Sequence, residues 1–114
     1  MEREEPAAAI DPARIGQALG REAERRPEGG VFEYHLPNEP VAVSLRLSVD
    51  PRRRTASLYL RGTNGFLGFV HLAGIQQVQI DEENGEVSFT IREGSVSRLA
   101  VQRGGVFIIT IREA

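Results

Sequence analysis

From position 31 to position 112, apolar and polar residues alternate along most of the chain, and the alternation is broken repeatedly at glycine, proline or asparagine. A period of two is the mark of half-buried β-strands, and breaks every roughly 8–12 residues set the rhythm of an antiparallel sheet or barrel. The clearest stretch is VAVSLRLSV, 41–49, with Val41, Val43, Leu45, Leu47 and Val49 on one side and Ala42, Ser44, Arg46 and Ser48 on the other. Before it, VFEYHL sets Phe32, Tyr34 and Leu36 against Glu33 and His35. After it, DPRRR reads as a hairpin tip, and TASLYLR returns with Ala56, Leu58 and Leu60 inward. FLGFVHLA, GIQQVQI, VSFTIR, the segment 95–101 and VFIITIR continue the series. TNG and RGG mark turns, and Asn84-Gly85 predicts a type I′ hairpin turn, whose two central residues take positive φ.

Only the N-terminal part has a helical period. In DPARIGQALGREAERR, Asp11 is a suitable N-cap, Pro12 fits the first helical position, and Ile15, Ala18, Leu19 and Ala23 form a narrow apolar stripe. Pro27 and Gly29-Gly30 are the expected stop. Gly16 and Gly20 share a face and would allow a close approach. No helix alternates with the strands, which argues against a parallel α/β fold. The predicted fold class is therefore α+β. An N-terminal helix is followed by a strongly curved antiparallel β-sheet or partly open barrel of about seven strands. Residues 1–9 read as a flexible tail and 10–114 as a single domain.

Two features of the pattern stand out. The letters TIRE occur twice, at 90–93 and 110–113. Alternating β-branched and charged residues generate such a segment without duplication, and both copies are expected to turn isoleucine inward and threonine and arginine outward. The last strand, VFIITI, is apolar on both faces, with Phe107, Ile109 and Ile111 on one and Val106 and Ile108 on the other. Such a strand is normally buried twice, so either the helix or another chain should cover its second face. Val106, Ile108 and Ile111 are the candidate interface of a homo-oligomer or of a complex with a protein partner.

Composition narrows the chemistry. At 40% hydrophobic residues over 114 positions, the chain suits a globular domain with a real core. There is no cysteine, which excludes disulfides, thiolate zinc sites and cysteine nucleophiles. All 14 basic residues are arginine, so Schiff-base chemistry and a P-loop lysine are excluded too. No apolar run approaches the ~20 residues of a membrane helix, and a cytoplasmic bacterial protein is the simplest expectation. Residues 1–40 hold five arginines against nine acids, and residues 41–114 hold nine against seven. The strand region is thus only mildly basic, which argues against nucleic acid as a partner.

Candidate site residues follow from the same pattern. Arg52, Arg53 and Arg54 at one hairpin tip, with Arg46 and Arg61 on the outward face below, form a candidate site for an anionic ligand or acidic partner. With Tyr59 as the single aromatic expected among them, they make a thin platform for single-stranded nucleic acid. An arginine-rich stretch beside a strand resembles second-messenger-binding β-barrels, but the D/N-x-S-x-x-G motif of those proteins is absent, and the function is not carried over. Tyr34, Phe66, Phe69 and His71 are the candidate lining of a ligand pocket in a curved sheet, with His71 as its one acid–base group. GTNGFLG is followed by a strand rather than a helix, so it is no dinucleotide fingerprint. His35 and His71 have no ligand spacing, so the chain implies neither a metal nor another cofactor. These features favour a small non-catalytic protein-interaction or assembly module over an enzyme and lead to the expectation of a homodimer. The alternatives are a small-ligand-binding curved sheet or half-barrel, less favourably an enzyme using His71, and an arginine loop that binds an anionic or nucleic-acid partner.

Overall fold

The computed structural model describes residues 9–25 and 29–113. Nearly all of the expected tail, and Pro27, lie outside the described residues. Among the described residues one short α-helix, α1 (Pro12–Leu19), precedes nine strands. These are β1 (Glu24–Arg25), β2 (Phe32–Asn38), β3 (Val43–Asp50), β4 (Thr55–Gly62), β5 (Gly65–Ala73), β6 (Ile75–Asp81), β7 (Glu86–Ile91), β8 (Val96–Gln102) and β9 (Val106–Ile111). Every pairing is antiparallel and between chain neighbours.

The strands do not form one curved sheet. They form two meanders, β1 to β5 and β6 to β9, and neither closes on itself. The break falls at Gly74, where φ of 75° turns the chain from the first sheet into the second; a side chain there would be strained in this left-handed region. Alternation reports which side of a strand is buried, but it carries no mark of where one sheet stops and another begins. The two inner faces share one core. Tyr34, Leu36, Leu45, Leu47, Val49, Ala56 and Leu58 come from the first sheet, and Ile75, Val87, Phe89, Ile91, Leu99 and Val101 from the second. Each large side chain buried this way contributes about 1.5–3 kcal/mol.

The helix closes part of this core. Asp11 caps it, accepting from the Ala13 N–H at 3.0 Å, and Ile15, Ala18 and Leu19 are buried. It ends seven residues earlier than its period suggests, because Gly20 adopts φ 68° and the Arg21 N–H donates to the Gly16 carbonyl at 3.0 Å. A Cβ at Gly16 would stand 2.6 Å from the Arg21 carbonyl oxygen, so the tight cap requires glycine there. α1 packs on β6 and β7, while Tyr34 of β2 donates its hydroxyl to the Pro12 carbonyl at 2.7 Å. The helix is thereby tied to both sheets. Burial first, then the charge of Asp11, holds the Tyr34 hydroxyl well above the usual phenol range.

Three local expectations change. Val41 belongs to a short 3-10 turn (Glu39–Val41) and is exposed, and β3 begins at Val43. The β6–β7 hairpin is present, but Asn84 does not take positive φ; only Gly85 does, at 64°. The turn is a four-residue loop held by the Asp81 carboxylate, which accepts from the Asn84 N–H at 3.1 Å and from Asn84 Nδ2 at 2.7 Å. Ile111 does not face the core but is 61% exposed. Among the described residues no helix is long and apolar enough to cross a membrane.

Candidate functional site: two exposed edge strands

The exposed large apolar side chains fall almost entirely on two strands. Apart from Val41, they are Phe66, Leu67 and Phe69 on β5 and Val106, Ile108 and Ile111 on β9. Each of these strands is the edge of its sheet, bonded on one side only. Edge strands are normally defended by charge, proline or brevity. Neither β5 (GFLGFVHLA) nor β9 (VFIITI) contains proline, lysine, arginine or a carboxylate.

On β9 the three candidate interface residues are all exposed, but they do not share one face. Val106 and Ile108 pair with Gln102 and Ala100. Phe107 and Ile109, which alternate with them in sequence, pack against the core. A register shift opposite Val96 and Arg98 then leaves Ile111 on the last rung of the ladder, beyond the core. The helix leaves the second face of β9 uncovered, since Val106 and Ile108 stay 44% and 55% exposed.

On the first sheet the outward positions form rows across four strands. Glu33, Ser48, Ser57 and His71 make one row; His35, Arg46, Tyr59 and Phe69 the next; Pro37, Ser44, Arg61 and Phe66 the third. Strict alternation along β5 would set Phe66 and Phe69 on opposite faces. A register shift between Leu60 and Arg61 skips Leu67 and brings Phe66 onto the Phe69 side. Tyr59 and Phe66 then meet with ring centroids 5.3 Å apart, and the Arg46 guanidinium stacks over Tyr59 at 5.5 Å. Sequence reading misses this cluster because the bulge is invisible in the pattern; only the paired glycines 62 and 65 hint at an irregular turn. The four residues expected to line a pocket do not share a surface. Tyr34 is fully buried on the inner face, whereas Phe66, Phe69 and His71 stand on the outer one.

The five arginines are likewise spread out. Asp50 accepts from the Arg52 and Arg53 N–H groups, both at 3.1 Å, shaping a four-residue tip. Arg52 and Arg53 are exposed there. Arg54 turns back, with φ 55°, and donates to the carbonyls of Ile75 at 2.7 Å and Gln76 at 3.3 Å. It anchors the corner between the sheets. Arg46 and Arg61 lie diagonally adjacent on the outer face, further along the hairpin. The Arg46 Nε is buried without a hydrogen-bond acceptor, and Glu33 Oε2 is 4.0 Å away. Among the described residues Arg61 has no ion-pair partner.

Two other groupings have chemical potential. Glu24, Glu33 and His35 bring ligand-type atoms within 4.8 Å of one another, with His35 Nε2 3.5 Å from Glu24 Oε2 and 3.9 Å from Glu33 Oε2. A protonated His35 forms ion pairs there, and the same atoms are the ones that could hold a cation. Ser57 Oγ lies 2.7 Å from His71 Nδ1. A serine nucleophile also needs a group orienting the imidazole, and among the described residues no carboxylate pairs with His71. Comparison of the chain with protein-family models, with curated proteins and with solved structures finds no match.

Proposed function

We propose that the chain is a non-catalytic assembly module that pairs with a second copy of itself through β9. The observation that carries this reading is an uncharged edge strand whose outer face presents Val106 and Ile108 to solvent. Two β9 strands meeting antiparallel about a twofold axis satisfy each other's open backbone groups. The same contact removes Val106 and Ile108 from water, and Ile111 lies at its rim. Light scattering over a range of concentrations tests this. The expected mass is that of a dimer, falling to the monomer on dilution and in Ile108→Arg. A monomer at every concentration, or an Ile108→Arg variant as dimeric as the parent, overturns the reading.

A further inference from the structure

The other unprotected edge has a different character. β5 exposes Phe66, Leu67 and Phe69, as β9 exposes aliphatic residues, but its outer face continues into Tyr59, Arg46 and Arg61. We propose that β5 and this face take an extended peptide segment of a partner protein, alternating apolar and acidic residues, which adds to the first sheet beyond β5. Three observations carry it. The nine residues of β5 have backbone ladder bonds only to β4, so one side of the strand is open to a further strand. An added strand would set alternate side chains beside Phe66 and Phe69, which are 60% and 56% exposed. The face also carries cations with room for an acceptor: Arg61 is exposed and has no ion pair among the described residues, and Arg46, whose distant ion pair with Glu33 spans 4.0 Å, has a buried Nε without a hydrogen-bond acceptor. Carboxylates supply such acceptors, and guanidinium–carboxylate bonds are among the strong ones.

Phosphates of single-stranded nucleic acid offer the same charge, and three aromatic rings could stack bases. The open backbone ladder of β5 favours the peptide, because a nucleic acid cannot complete it. Aromatic and arginine side chains together are also the usual anchors of protein interfaces.

The test uses a fluorescent nine-residue peptide of alternating valine and glutamate, its valine–lysine counterpart, and a ten-nucleotide deoxythymidylate. All are titrated into the full chain by anisotropy at neutral pH. The glutamate peptide should bind about tenfold more tightly than the lysine one. Its binding should weaken about tenfold in Arg61→Ala and in Phe69→Ser, and should fall with added salt. Both substitutions lie at exposed positions, so unchanged thermal unfolding serves as the control on folding. Hydrogen exchange should show new protection of amides 65–73 and none on β9. The monomeric Ile108→Arg variant should bind as the parent does, which separates this surface from the β9 pairing. Binding of neither peptide, equal binding of both, protection on β9 instead, or tighter binding of the oligonucleotide overturns the proposal.

Discussion

The tetrapeptide TIRE lies in two places that are neighbours in space and opposites in environment. Thr90 and Thr110 both pair with Arg98, so the two copies flank β8 on either side. In the first copy Ile91 is 2% exposed and in the second Ile111 is 61% exposed. The arginines differ in the reverse sense. Arg92 projects its side chain into solvent, whereas Arg112 reaches back and donates to the carbonyls of Ile91 at 2.7 Å, Arg92 at 3.3 Å and Gly94 at 3.3 Å. The edge copy thus fastens the end of the interior one. Identical residues acquire their roles from strand order and from the bulge on β8, not from their own pattern.

Truncation of the isoleucines gives the largest expected contrast. Ile91→Ala should cost about 2–5 kcal/mol, the usual range for emptying a packed site. Ile111→Ala should change the stability of the isolated chain by less than about 0.5 kcal/mol. Urea unfolding below the concentration of self-association measures both. Equal losses would mean that the second isoleucine is buried after all.

This contrast also marks what the sequence makes legible. Within strands, alternation identifies Leu45, Leu47, Val49, Leu58, Val87 and Phe89 as core, because one side of each strand must face away from water. An inward Ile111 fails, because alternation has no term for a strand outrunning its core. Phe66 stands with Phe69 and His71 on the outer face against strict alternation, because one residue is skipped at Leu67, while Tyr34, grouped with them in sequence, is buried on the other face. The split at Gly74 fails because a glycine reads the same at a bend, a turn or a passage between sheets. The arginines are hardest of all. Arg54 and Arg112 are ordinary surface letters in sequence, yet both are spent on backbone carbonyls across the fold.

The arginines of the two copies provide the next contrast. Arg112→Ala removes donors to three carbonyls and should cost about 1–2 kcal/mol. Arg92→Ala removes no hydrogen bond among the described residues and should stay within about 0.5 kcal/mol. Hydrogen exchange should show faster opening around Ile91 in the first variant only. If Arg92→Ala proves the more damaging, the clamp runs the other way and the comparison collapses.

Acid provides the smallest and most local contrast, because the interior copy sits on a strand entered through a titratable turn. Asp81 closes the hairpin into β7, and hydrogen bonds from the Asn84 side chain, then from its N–H, hold its carboxyl below the usual range. A carboxyl depressed in the folded chain means that the unfolded chain binds more protons near its ordinary value of about 3.9. The stabilisation is therefore fully present above that value and is lost as pH falls through the lower folded value. Asn84→Ala should reduce the urea midpoint at pH 7, and its difference from the parent should shrink progressively between about pH 4 and the folded value. Exchange of the β7 amides should follow that loss, while the β9 amides, entered through the turn at Arg103 and Gly105, should not. A gap that persists unchanged into strong acid would show that the turn is held by the shape of the loop rather than by the charge of Asp81.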